Sequence, residues 1–257
     1  MLRLRRFEEK AGMLYALGTL ASPCPLGIGQ EAALAALATS LEPSDAVLAL
    51  DLNPALDLAL GAAPAALFER FLPPAESAQN GGVLLREPGG EPRRLPHDDA
   101  ITALSACHTD HLVVLSSDPM ALTSALPQGG RSVLAVLVIP SDRKPDAWPP
   151  AWNGAVRECD GADVEAIAAA LAAVREECAV GHGTKILAIL TPPYAGHARD
   201  GNRRPAARRD TPDPLALYRY RLVTTGRLTD AEAIAMEATA RDEIAAAGRA
   251  ISLSCAP

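Results

Sequence analysis

Three uninterrupted apolar runs constrain this chain more than any other feature: LVVLS at residues 112–116, SVLAVLVI at 132–139 and KILAIL at 185–190. A strand with one face in water alternates polar and apolar residues, because successive side chains point to opposite faces. These runs do not alternate, so both faces of each must be covered, which is the condition of a parallel sheet carrying helices on both sides. AVLAL at 46–50, entered through Pro43, Ser44 and Asp45, is a shorter candidate strand of the same kind. Helical segments lie between the runs, one near Ala121 and an alanine-rich one over 162–180. The order β, α, β, loop, α, β predicts a three-layer α/β fold with a mainly parallel sheet. At 257 residues and 49% hydrophobic content, the chain can bury the core such a sheet demands.

Outside the sheet segments the pattern is helical. Residues 5–20 hold good helix formers, with Phe7, Leu14 and Leu17 near one face, and the run ends around Gly18. SPCPLGIGQ then breaks the chain through Pro23, Pro25, Gly27 and Gly29, and a second helix is expected from Gln30 to Leu41. A helix is expected through Leu67 and Phe71, and residues 73–96, dense in Pro, Gly and Glu, read as a long surface loop. From 213 onward the chain is helical, with a break at Gly226 and an N-cap at Thr229 or Asp230. No internal repeat is visible. The whole of 1–257 reads as a single domain ending in a helical tail, 213–257.

The formal charge of −7 gives no basic footprint for a phosphate backbone, so nucleic acid is not an expected partner. Arg203, Arg204, Arg208 and Arg209 form the one basic cluster, which reads as a solvated loop. Five cysteines, an odd number without short repeated spacing, do not make a disulfide framework. No apolar run reaches the ~18 residues that span a bilayer, and MLRLRRF is followed by the charged EEK, so a soluble cytoplasmic protein is expected. GxGxxG, Walker and Gly-x-Ser-x-Gly patterns are absent.

Four collinear sets of segments carry a family resemblance. RRFEEKAGMLYALG, then Cys24 and LGIGQEAALAAL, come first, followed by LEPSD at 41–45 and GAAPAALFERF from Gly61. Asp160, Gly161, Asp163 and Val164 form a turn ahead of a helix and of GHGTKILAILTPPYAGHARD, which contains Thr191, Tyr194, Gly196, His197 and Asp200. DPLALYRYRLVTTGRLTDAEA closes the series. In this order they resemble the α-subunit of pyruvate and branched-chain 2-oxo acid dehydrogenases. The resemblance implies a thiamine-diphosphate-binding-type fold, thiamine diphosphate and Mg²⁺ as cofactors, and assembly with a β-subunit. A homo-oligomer is the other assembly open to it.

A thiamine diphosphate enzyme holds a charged pyrophosphate through Mg²⁺ ligated by protein oxygens. In the resembled family a Gly-Asp-Gly turn after one strand supplies a metal ligand, and an Asn pair after the next supplies another. Here those places hold Ser117, Asp118 and Pro119, then Ser141 and Asp142. The resemblance thus makes Asp118 and Asp142 the candidate metal ligands, with Asp118 also on the cofactor. Two carboxylates beside a pyrophosphate add negative charge with no visible compensating cation. The other reading makes both aspartates turn or helix caps.

The glycines that let a backbone approach phosphate are missing from this turn. The family's His after Cys is Pro25, its Tyr-Arg pair falls on Asp51 and Leu52, and a further His is Pro54. His197 is retained, and the resemblance makes it the candidate catalytic and cofactor-binding residue; its other reading is hydrogen-bonded packing of its own loop. Cys107, His108 and His111 are a separate zinc candidate without a fourth ligand at standard spacing, or else a thiol beside surface histidines. Scaffold segments are kept while phosphate-facing ones change together. That pattern points to an α-subunit-like component of a 2-oxo acid dehydrogenase complex, non-catalytic or regulatory. The alternative is an active α-subunit, completed by a β-subunit, that decarboxylates a 2-oxo acid and passes the acyl group to a lipoyl carrier.

Overall fold

The apolar runs form the middle of a seven-stranded sheet: β1 (Ala46–Ala49), β2 (Val83–Arg86), β3 (Arg93–Leu95), β4 (Leu112–Ser116), β5 (Val133–Pro140), β6 (Val156–Asp160) and β7 (Thr184–Thr191). The structure, a computed structural model, describes residues 1–21, 27–51, 53–72, 82–106, 112–126, 132–152, 154–180, 183–192 and 212–254. Its helices are α1 (Leu2–Ala16), α2 (Glu31–Ser40), α3 (Pro54–Ala59), α4 (Pro64–Glu69), α5 (His97–Ala106), α6 (Pro119–Ala125), α7 (Val164–Val180), α8 (Pro214–Thr224) and α9 (Asp230–Ser254). The chain is arranged in two compact units, Ala36–Leu52 with Gly81–Pro193, and Met1–Ala35 with Asn53–Asn80 and Tyr194–Pro257.

The sheet unit has strand order β3-β2-β1-β4-β5-β7-β6. β1, β4, β5, β7 and β6 run parallel, and β2 and β3 add an antiparallel edge. Every residue of β4 is buried, as is all of β5 up to Ile139, as their unbroken hydrophobicity requires. The crossover from β4 through α6 to β5 runs one way along the sheet, and that from β6 through α7 to β7 runs the other. A single hand of connection therefore places α6 and α7 on opposite faces. On one face Ala100, Leu104 and Leu122 of α5 and α6 pack with Leu48, Leu85, Val114, Ala135, Leu137 and Ala188. On the other, α7 buries Ile167, Leu171, Val174 and Cys178 against β5, β6 and β7. This is the expected three-layer α/β arrangement with a mainly parallel sheet.

One buried ion pair ties the layers of this unit. Asp45, at the entry to β1, is fully buried, and Arg175 of α7 donates to Oδ1 at 2.9 Å and to Oδ2 at 2.7 Å. The same guanidinium donates to the Ser40 carbonyl at 3.0 Å, and Asp45 Oδ2 also accepts from the Glu42 N–H at 2.8 Å. A carboxylate removed from water needs this bidentate partner and the backbone donor to offset its desolvation.

In the other unit α1 packs on α9, with Arg3 donating to Glu243 at 2.7 Å and Arg6 paired with Glu237, while Phe7 stacks on Phe68 at 4.6 Å. α8 begins at Asp213, whose Oδ1 accepts from the Leu215 N–H at 3.0 Å, and Pro214 occupies the first turn, where no N–H is needed. The break at Gly226 has φ +70°, a left-handed conformation that favours glycine. Thr229 and Glu232 then form a reciprocal capping box: the Thr229 N–H donates to Glu232 Oε2 at 2.8 Å, and the Glu232 N–H donates to Thr229 Oγ1 at 3.2 Å. The helical tail is thus as the sequence indicates.

Four features differ from the sequence reading. The expected loop over 73–96 contains β2 and β3, a hairpin turned at Gly89, where φ is +67°. α5 and β6 carry too little apolar periodicity to stand out; β6 is an edge strand that is largely exposed. The helix expected through Leu67 and Phe71 is split in two by Gly61 at φ +104°, into α3 and α4. Leu17 is 71% exposed, because α1 ends one residue before it. We expect Asp45→Ala, which strands the Arg175 guanidinium, to cost about 2–4 kcal/mol in urea unfolding. Arg157→Ala, which breaks the exposed pair with Glu177, should cost less than about 1 kcal/mol in the same assay.

Candidate functional site at the carboxyl edge of the sheet

In open α/β sheets ligands gather outside the carboxyl ends of the strands. That edge here carries Asp51 after β1, Ser117 and Asp118 after β4, Ser141 and Asp142 after β5, Gly161 after β6, and Thr191 at the end of β7. All belong to the sheet unit.

The turn from β4 into α6 is built from its own side chains. The Ser117 N–H donates to Asp51 Oδ2. The Asp118 N–H donates to Ser116 Oγ at 3.0 Å, and that hydroxyl donates in turn to the Asp118 carbonyl at 3.1 Å. Asp118 Oδ1 accepts from the Met120 N–H at 2.8 Å, so Asp118 is the N-cap of α6, and Pro119 has no N–H to offer. Each backbone donor from Ser117 to Met120 is therefore engaged within the chain. Asp118, one candidate metal ligand, stands in the cap role.

Asp142 lies exposed in a short 3₁₀ turn, Ser141–Arg143. Ser116 pairs with Leu137 in the β4–β5 register; Asp118 is two residues past the former and Asp142 five past the latter. The two candidate ligands thus share the edge of adjacent strands but stand three register positions apart. Among the described residues no three His, Cys, Asp or Glu side chains are gathered closely enough to hold a metal ion. The segment after the turn is braced to β6 by Glu158, which accepts from Lys144 Nζ at 2.7 Å and Trp148 Nε1 at 2.9 Å. These two hydrogen bonds lower the Glu158 pKa.

On the far side of the edge, Gly161 is pressed against β7. Its N–H donates to the Leu190 carbonyl at 2.8 Å, and a Cβ there would lie 2.7 Å from Leu190 O and from Thr191 Cα. Asp163 Oδ1 accepts from the Glu165 and Ala166 N–H groups, at 3.1 and 3.2 Å, opening α7. Thr191 is 1% exposed, and its Oγ1 has no hydrogen-bond partner among the described residues. His197 and the Cys107, His108 and His111 group lie outside the described residues, as do Pro25, Leu52 and the arginine cluster 203–209.

Sequence reasoning did not assign Asp51 its role, since the hydrogen bond to Ser117 joins residues 66 apart. It also missed a buried polar cluster in the other unit, where Arg5 bridges Glu31 and Asp213 while Glu8 lies 1% exposed. The available signal was Glu8 itself, which shares a helical face with Leu4 and Ala11.

No protein-family model matches the chain. A 43-residue stretch, 17% of this chain, is 54% identical to the pyruvate dehydrogenase E1 component subunit alpha of Zymomonas mobilis. Stretches of 48 residues, 19% of the chain, are 48% identical to the subunits of that name from Rhizobium meliloti and Rickettsia felis. Over that stretch the chain is similar to pyruvate dehydrogenase E1 α-subunits. The matches span only 12 to 15% of the length of these relatives. No helix among the described residues is long and apolar enough to cross a membrane.

Asp51→Ala should leave the Ser117 N–H without its acceptor and lower stability by about 1–2 kcal/mol. Asp142→Ala, at an exposed position, should change it by less than about 0.5 kcal/mol. Urea midpoints of the two variants check both values.

Proposed function

We propose that this chain is an α-subunit-like component of a 2-oxo acid dehydrogenase complex that does not itself hold thiamine diphosphate, and acts as a structural or regulatory subunit. The observation that carries the reading is the self-capped turn after β4. A magnesium pyrophosphate needs backbone or cationic donors free to meet phosphate oxygens, and a gathered set of oxygen ligands for the metal. From Ser117 to Met120 the backbone donors are engaged by Asp51, Ser116 and Asp118, and Pro119 supplies none. Asp51 also brings a carboxylate to the place where a phosphate would need a cation. The described residues of this edge do not fit the group.

The similarity to E1 α-subunits supports the assembly half of the reading, with a dehydrogenase β-subunit or a second copy of the chain as partner. The alternative, an active subunit completed by a β-subunit, rests on His197, Asp118 and Asp142. It requires Asp118 and Asp142, three register positions apart, to ligate one Mg²⁺.

The test is the thiamine content of the tagged protein purified from its host, read by fluorescence after denaturation, with co-purifying chains identified by mass. We expect a dehydrogenase subunit to co-purify with thiamine far below one equivalent. Near-stoichiometric thiamine would overturn the non-catalytic reading and make Asp118, Asp142 and His197 the residues to substitute.

A further inference from the structure

The unit that contains α1 and the start of α2 buries a carboxyl group that nothing in the functional reading uses. Glu8 on α1 is 1% exposed. Its Oε1 accepts from the Gly27 N–H, at the turn that opens α2, and its Oε2 has no hydrogen-bond partner among the described residues. Gly27 is held so closely that a Cβ would lie 3.1 Å from Glu8 Oε1 and 2.8 Å from Gln30 Oε1. A Cβ at position 27 would require the Gln30 amide to shift.

Of its charged neighbours, Arg5 favours an ionised Glu8, but burial outweighs that attraction. Arg5, one turn away on α1, is engaged by Glu31 and by Asp213, the N-cap of α8. Glu31 on α2 and Glu9 on α1 both repel a second negative charge there. Glu31 is itself held by Arg5 and by the Gly29 N–H at 3.0 Å. From the other elements packed on α1, Glu237 and Glu243 of α9 are paired with Arg6 and Arg3, and Asp57 of α3 is paired with Arg70. A buried carboxylate with one backbone donor and one bare oxygen costs several kcal/mol, roughly, unless it keeps its proton.

We propose that Glu8 is carried as the neutral acid and serves as a proton-dependent latch on the turn at Gly27–Glu31. With the proton held, the turn is closed on α1; with it lost, the carboxylate is driven toward water and the start of α2 is released. Burial pushes the Glu8 carboxyl up to about 8 from its ordinary 4.5; the Gly27 hydrogen bond opposes that rise and the Glu31 charge adds to it. Between those two values the folded chain keeps a proton that the unfolded chain has given up. Stability conferred by Glu8 is therefore full below about pH 4.5, falls as pH rises, and is level again above about 8. The latch lies within one unit and does not depend on the proposed function.

The test compares the full chain with Glu8→Gln, which keeps the shape and cannot ionise, by urea unfolding from pH 5 to pH 9. The folding constant of the parent should fall relative to the variant by about tenfold per pH unit up to about pH 8, then run parallel. Amide exchange at Ile28 to Leu34, corrected for intrinsic base catalysis, should accelerate above pH 8 in the parent and not in the variant. Parallel stability curves throughout, or equal corrected exchange, would overturn the latch. Should the variant fail to fold, the ¹³C carboxyl titration of Glu8 in the parent decides: a midpoint near 8 supports the proposal, and one near 4.5 removes it.

Discussion

Burial of the central strands on both faces is the constraint on which the sheet unit depends. β4 and β5 have no face left for solvent, so apart from Ser116 at the end of β4 their side chains contribute packing. Whatever polar chemistry this unit has is confined to the strand ends and the turns beyond them. That is why Asp51, Asp118, Asp142 and Gly161 all fall on one edge, although they are scattered over more than a hundred positions of sequence. The antiparallel hairpin of β2 and β3 extends the sheet beyond β1, leaving β3, with Arg93 and Arg94, as a short charged edge strand of the kind that resists pairing with other chains.

Strand ends bring their own accounting problem. Where a strand hands over to a helix, several backbone N–H groups point outward with no carbonyl partner, and a folded chain satisfies them either from within or with a ligand. At the β4–α6 turn this chain takes the first course through Asp51, Ser116 and Asp118. At the start of α7 it does so through Asp163. An anion-binding turn and a self-capped turn are therefore alternative solutions on the same backbone, separated by a few side chains.

The fold was legible where hydrophobicity is continuous. β4, β5 and β7 stand out because each is a short apolar run, five to eight residues long, rich in β-branched residues or bounded by turns. β2 and β3 were hidden because four and three residues of strand sit among prolines and glycines, and β6 because an exposed edge strand carries the charges of VRECD. Within the candidate site, the Asp-Pro pair at 118–119 is itself a helix-start signal, and the cap reading of Asp118 follows from it. Asp51 was not legible, since nothing local links it to Ser117; only the parallel pairing of β1 with β4 brings the two together. The Glu8 cluster was partly legible, as a carboxylate on an apolar face, but its burial depends on a turn and a helix cap from distant parts of the chain.

The pairing of Asp45 with Arg175 also bears on how the chain is made. The two residues are 130 positions apart. As a ribosome extends the chain at roughly 5–20 residues per second, the aspartate at the mouth of β1 emerges on the order of ten seconds before its arginine exists. Until then Asp45 lacks the bidentate partner that offsets most of its desolvation. The last-made helix of the sheet unit, α7, supplies the counter-charge that lets the first-made strand settle. Synthesis order thus delays the full pairing of the Asp45 carboxylate until α7 has been made.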